Sequence, residues 1–161
     1  MVDLLRYRET VLFNKLVDDS KTLKKEGKSS YQILMRETSD VMQELAQVYG
    51  ERHTLEYCIS VLSKIKNADN HQLMTKVFRL FGAECVDREL SFYVIQGVLS
   101  EKAMTGIVPT RHQLIKDIAL RVTDLMDCMS IPKHALYAPI AANYMKYNEF
   151  PNQGEVINAK M

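Results

Sequence analysis

From Ser29 to Ile65 the chain reads SSYQILMRETSDVMQELAQVYGERHTLEYCISVLSKI, and this stretch decides the fold. Positions 34, 38, 41, 45, 48, 52, 55, 59 and 62 step by four and three, so they return to one face of a helix. Seven of the nine are apolar, namely Leu34, Val41, Leu45, Val48, Leu55, Ile59 and Leu62, and the exceptions are Thr38 and Arg52. Ser29 and Ser30 offer N-cap oxygens at the start. The register passes through Gly50 without a slip, which predicts one helix of about 55 Å at a rise of ~1.5 Å per residue. Gly50 costs such a helix about 1 kcal/mol against alanine, and it predicts a bend or a close packing contact there. A stripe this long must be buried against other helices, so the stretch asks for a bundle.

The flanking segments supply the partners. From about Asp3 to Lys25, Leu5, Leu12, Leu16 and Leu23 recur at helical spacing, with Arg6, Arg8, Glu9, Lys15 and Asp19 on the other faces. Glu26-Gly27-Lys28 then provides a C-terminal stop, because glycine accepts the left-handed conformation. Downstream, the turn Asn67 to Asn70 ends the long helix, and a third begins near His71 with a core face of Leu73, Val77, Leu80 and Phe81. A second apolar group follows at Leu90, Phe92, Tyr93, Ile95 and Val98. Gly97 and Gly106 bracket a predicted turn; Pro109 and Thr110, with Gln113 three residues after Thr110, read as a helix start with a capping box. The fourth helix carries Leu114, Ile115, Ile118, Val122, Leu125, Met126 and Met129, after which Ser130-Ile131-Pro132 restarts a short turn that Pro139 ends. An amphipathic piece from Ile140 to Tyr147 closes the series. The expectation is an all-α fold: an antiparallel bundle of about four long helices plus a short C-terminal helix and an extended tail. Residues 1–147 form the bundle and residues 148–161 the tail.

Composition excludes several function classes. Lys plus Arg numbers 21 against 20 for Asp plus Glu, a net charge of +1, and no block of like charge marks a nucleic-acid or membrane-surface partner. Lys21 to Lys28 is broken by Glu26 and reads as a solvated helix end. No apolar run reaches the roughly 18 residues of a membrane span, and no charged-then-apolar leader is expected. Cys58, Cys85 and Cys128 are odd in number without CxxC spacing, which reads as reduced, buried small hydrophobes in a non-oxidising compartment.

Candidate chemistry is sparse. His53, His71, His112 and His134 are scattered over different segments, so no metal ligand set is expected. The cysteines sit in apolar contexts, which does not favour a nucleophilic thiolate. Phe81-Gly82-Ala83 and Gln96-Gly97-Val98 hold isolated glycines rather than a phosphate loop, and Tyr144 and Tyr147 suit amphipathic docking better than ligand stacking. No catalytic residue is therefore assigned to the chain. The C-terminus is different: Ala159-Lys160-Met161 places a small, a basic and a large apolar residue before the carboxylate, as in the peroxisomal address typified by Ser-Lys-Leu. It follows a polar stretch broken by Pro151 and Gly154, which predicts an accessible tail read by an import receptor and a peroxisomal location.

Taken in order, these segments resemble the C-terminal domain of peroxisomal acyl-CoA oxidases. Leu5-Arg-Tyr-Arg-Glu9 resembles the lead-in to that domain, and the stretch holding Glu51-Arg-His53 resembles its longest helix. Val77-Phe-Arg-Leu-Phe81 is similar to the next helix. The densest match is Leu125 to Ile140, LMDCMSIPKHALYAPI, which is similar to the family's Leu-Val-Asp-Ala-Phe, its Ile-Pro-Asp turn and its Ala-Pro-Ile. Tyr144 and Tyr147 fall near a tyrosine that commonly follows. Arg52 within the long seam, Met129 for a frequent phenylalanine and His134 for a frequent acid are departures from that pattern.

The resemblance implies an FAD-dependent desaturation of acyl-CoA to trans-2-enoyl-CoA, with electrons passed to oxygen to give hydrogen peroxide, as a step of fatty-acid β-oxidation. The glutamate base and the main flavin contacts belong to upstream domains of the family enzyme. Glu9, Glu37, Glu44, Glu51 and Glu56 all fall on segments that match the C-terminal bundle, so none inherits the base's role. The implied role is packing against the flavin domains or a homodimer partner, with FAD bound by the full-length enzyme and none expected on this chain alone. Phe92, Tyr93 and Ile95 are then expected to face a missing neighbour. The alternative is a free-standing helical interaction module without flavin chemistry.

Overall fold

The computed structural model describes residues 1–132 together with Ala135 and Met145. Those residues are helical with no strand among them, and the chain divides into two units, Met1–Leu120 and Arg121–Met161. The expected boundary between residues 147 and 148 lies outside the described residues, as do His134, Pro139, Tyr144, Tyr147 and Ala159-Lys160-Met161.

Helix α1 spans Val2–Lys25. Gly27, at φ +83°, ends it as expected: the Gly27 N–H donates to the Lys24 carbonyl and the Lys28 N–H to the Leu23 carbonyl, which satisfies carbonyls the last turn leaves free. The long helix predicted from Ser29 is interrupted. A single turn, α2 (Ser30–Gln32), opens on a reciprocal cap between Ser29 and Gln32 and passes into a π-helical turn, Ile33–Glu37. Thr38 closes that turn by donating both its N–H (2.9 Å) and its Oγ1 hydroxyl (2.8 Å) to the Ile33 carbonyl. Helix α3 then runs Ser39–Leu62. The π turn absorbs one extra residue, so the step between the buried residues Ile33 and Thr38 is five, and Leu34 is left 42% exposed instead of on the core face. Gly50 does not make a close contact, since a Cβ built there meets nothing within 4 Å.

Helix α4 spans Ala68–Arg88 and starts earlier than His71, because the Asn67 side chain caps it by accepting from the Asn70 N–H at 3.0 Å. Helix α5 is short, Leu90–Ile95, and ends at Gly97, φ +64°. Helix α6 spans Glu101–Ala119, which corrects the predicted turn at Gly106 and start at Pro109. Ser100 caps it by accepting from the Ala103 N–H at 3.2 Å, and the proline's fixed φ lets the helix continue at the loss of one hydrogen bond. The predicted fourth helix is also divided: α6 stops at Ala119, and α7, Val122–Cys128, belongs to the second unit.

In the first unit successive long helices run antiparallel. Arg6 pairs with Glu56 and Glu9 with Arg52 between α1 and α3, while Thr22 and Leu23 at the far end of α1 line one surface with Glu37 and Thr38. Glu51 pairs with Arg88 between α3 and α4; Lys76 pairs with Asp117, and Arg111 with Glu84 and Asp87, between α4 and α6. Leu5, Leu12, Val48, Leu55 and Cys85 form the core, flanked by Val2, Val41, Leu45 and Phe81. Of the three cysteines only Cys85 meets the expectation of burial; Cys58 is half-buried, Cys128 is exposed, and all three are free thiols. Tyr93 is wholly buried rather than facing a missing neighbour, and Phe92 is half-buried, but Ile95 is 80% exposed. No helix among the described residues is long and apolar enough to cross a membrane.

Candidate functional site

The α1–α3 seam gathers the densest chemistry. Arg6 and Glu9 lie one turn apart on α1, and Arg52 and Glu56 one turn apart on the facing stretch of α3, so the four meet in pairs across the seam. Arg52 grips Glu9 with two nitrogens, Nε to Oε2 and Nη2 to Oε1 (3.1 Å), and its Nη1 donates to Glu56 Oε2 at 2.8 Å. Glu56 Oε1 accepts from Arg6 Nη2 at 2.8 Å, and Arg6 Nη1 donates to Asp3 at 3.2 Å. The chain of charges Asp3–Arg6–Glu56–Arg52–Glu9 thus stitches the two helices together. The hydrogen bond from Arg6 above all holds the Glu56 carboxyl below its ordinary 4.5; burial opposes it, and the bond from Arg52 adds to the lowering. A hydrogen bond from Arg52 to Glu9, above all, raises the guanidinium pKa above its ordinary value. Arg52 also lies 5.6 Å from the centre of the Tyr49 ring, and its Nη2 is 3.2 Å from His53 Nε2, which accepts because arginine offers only donors.

Next to this network opens a groove of about 580 Å³. Its walls are Phe13 and Leu16 of α1 and Met42, Leu45 and Tyr49 of α3, and its polar residues are Glu9 and Thr10. Phe13 and Tyr49 are 54% and 52% exposed at its rim. The groove does not suit a flavin dinucleotide: a pyrophosphate needs donors or positive charge, Glu9 is an anion, and Arg52 is already committed to Glu9 and Glu56. It suits apolar surface.

A second cluster is buried where α1, α4 and α5 meet. Arg8, 2% exposed, pairs through Nη2 with Glu89 at 3.0 Å, lies 3.6 Å from Glu44, and stands 5.7 Å from the centre of the Phe92 ring. Arg8 Nε and Nη1, Tyr93 Oη and Glu51 Oε2 have no hydrogen-bond partner among the described residues. Glu51 Oε1 accepts from Arg88 Nη1 at 2.6 Å. Burial pushes the Cys85 thiol up to about 11, with the Glu51 charge adding to it, and pushes the Tyr93 phenol up to about 12. Both groups are therefore protonated at neutral pH and are not poised as nucleophiles.

The glutamates singled out in the sequence are all ion-paired. Glu9 and Glu56 face Arg52, Glu37 faces Lys28, Glu44 faces Arg8 and Glu51 faces Arg88. No group of three or more His, Cys, Asp or Glu among the described residues is placed to hold a metal. Two functional-looking residues went unassigned in the sequence. Arg8 reads as an outer-face charge, yet it stands three residues after Leu5 and four before Leu12, on the same stripe. Arg52 was visible as a break in the seam, but its partner Glu9 depends on the register of α1 against α3.

A family model described as acyl-CoA oxidase matches residues 1–143 of the chain. No curated protein and no solved structure matches it.

Proposed function

The chain belongs to the acyl-CoA oxidase family, and on that premise we propose that it is a C-terminal helical domain which packs and delivers rather than catalyses. It docks against flavin-bearing domains of the enzyme or a second copy, and the FAD-dependent desaturation of acyl-CoA takes place in those domains. The observation that carries this reading is exposed apolar surface on an otherwise packed unit. Tyr57 is 69% exposed, Tyr31 65%, Met35 61% and Ile95 80%, besides Phe13 and Tyr49 at the groove. Soluble monomers seldom leave so many large apolar side chains uncovered without an interaction to serve. The ion pairing of Glu9, Glu37, Glu44, Glu51 and Glu56 agrees with a proton-abstracting base located elsewhere. Ala159-Lys160-Met161 supplies the import address and a peroxisomal destination.

The test is a binding and turnover experiment. The purified chain, given FAD and an acyl-CoA, should release no hydrogen peroxide, and it should bind flavin-bearing acyl-CoA oxidase domains. Phe13→Asp with Tyr49→Asp should weaken that binding by at least about tenfold, as loss of aromatic anchors does. Peroxide from the chain alone overturns the reading, and a folded chain indifferent to flavin-bearing domains favours a free-standing interaction module. For the address, one residue appended after Met161 should abolish import of a fused reporter; import unchanged by the extension removes that part.

A further inference from the structure

Helix α6 is built in two unequal halves. Its second half is tied down: Leu114 is buried at 6% exposure, Arg111 pairs with Glu84 (3.3 Å) and Asp87, and Asp117 pairs with Lys76 at 2.9 Å. Its first half, Glu101 to Val108, has no buried residue and no ion pair among the described residues. Ser100 caps it, and Met104, Gly106 and Ile107 are only half-buried.

The joint between the halves is weak for a covalent reason. Pro109 has no N–H, so the Thr105 carbonyl loses the donor that a regular helix would provide. Thr105 does not compensate, because its Oγ1 donates backwards to the Glu101 and Lys102 carbonyls at 3.1 and 3.2 Å. Gly106, one residue on, adds backbone freedom, and a Cβ there would meet nothing within 4 Å. Beneath this half lies a groove of about 290 Å³. Lys102, Ala103, Gly106 and Ile107 form its roof, and Leu4, Ala83 and Val86 lie across from them. Ala83 and Val86 are 7% and 2% exposed, so the floor is part of the buried interior.

We propose that Glu101–Val108 is a lid, hinged at Gly106–Pro109, which opens to uncover the apolar floor at Leu4, Ala83 and Val86 while the rest of the first unit stays folded. Closing it costs little rearrangement, because the second half of α6 never leaves Glu84, Asp87 and Lys76. The inference does not depend on the proposed packing role.

Amide hydrogen exchange on the full chain tests it. Relative to intrinsic rates, Met104 to Val108 should exchange about 100-fold faster than Leu114 to Ala119, as expected for local opening beside a globally protected segment. Pro109→Ala, which restores the bond to the Thr105 carbonyl, should slow exchange in Met104 to Val108 by about tenfold or more and leave Leu114 to Ala119 unchanged. Gly106→Ala should slow the same amides about fivefold, the equivalent of ~1 kcal/mol of helix propensity. Uniform protection along α6 overturns the proposal. So does a Pro109→Ala variant that leaves Met104 to Val108 unaffected or slows both halves equally.

Discussion

The α1–α3 seam and the first half of α6 are both amphipathic helix lying on helical neighbours, yet they are held by different means. Along the seam, Leu5, Leu12, Val48 and Leu55 are buried and the charges from Asp3 to Glu9 interlock across it. In the first half of α6 no residue is fully buried, and the Ser100 side-chain cap, Gly106 and Pro109 set the geometry. Helical periodicity is the same in both. What separates them is anchoring, since most helix stability in a protein comes from the packed face rather than from propensity.

The sharpest test of that difference is a pair of truncations. Leu5→Ala, at a wholly buried position, should lower the unfolding free energy by about 3 kcal/mol, whereas Ile107→Ala on the half-buried α6 face should cost less than about 1 kcal/mol. Urea denaturation of both variants measures the contrast, and equal losses would abolish it. Next in size is Arg52→Met, which leaves Glu9 and Glu56 short of a partner and should cost about 1–2 kcal/mol. The acid side of the pH profile reports the same network. The folded state holds Glu56 below its ordinary 4.5, so the stability it contributes is present above that value and is lost as pH falls from 4.5 through the lower folded value. Removing Arg6 or Arg52 should therefore flatten the acid limb, and a limb of unchanged steepness in both variants would separate Glu56 from the clamp.

The seam was legible in the sequence because it is periodic and apolar. Leu5 and Leu12 on α1, and Val41, Leu45, Val48 and Leu55 on α3, occupy the expected faces. Gly27 ended α1 where left-handed geometry is needed. The break at Ile33–Thr38 was hidden because Ile33 and Leu34 are both apolar, so a slip of one residue leaves the pattern nearly intact. Pro109 misled for a related reason: proline favours the first turn of a helix, but Ser100 had already started one. Arg8 shows the limit of binary patterning at the buried cluster. A charged residue on an apolar stripe reads as surface, and only the arrival of Glu89 and Phe92 from α5's neighbourhood explains its burial. The Arg52 network was half legible, since a pair between helices needs their register as well as their sequence.

Gly50 offers a smaller change of opposite sign. It lies within α3, where its surroundings are open, so Gly50→Ala should stabilise the protein by about 1 kcal/mol through helix propensity. A destabilised variant would mean that α3 uses the glycine for a bend, which would weaken the picture of a seam that is rigid along its length.

The smallest effect at neutral pH is expected from Tyr93→Phe, and its value lies in its pH dependence. Tyr93 is wholly buried and its hydroxyl has no partner among the described residues, so removing the oxygen should change stability by less than about 1 kcal/mol near neutrality. At alkaline pH the variant should separate from the parent. Burial raises the folded phenol from 10.0 to about 12, so the folded state keeps its proton where the unfolded chain has already lost it. That difference favours unfolding increasingly as pH rises: the contribution is intact below 10 and is lost between 10 and about 12. Phenylalanine has no such titration, so urea midpoints taken near neutrality and near pH ~11 should fall less for Tyr93→Phe than for the parent. A loss above about 2 kcal/mol at neutral pH would instead mean that the hydroxyl is hydrogen-bonded in solution. The Arg8 cluster would then hold one orphaned group fewer, with Arg8 Nε, Arg8 Nη1 and Glu51 Oε2 left, and would stand closer to the fully paired Arg52 clamp.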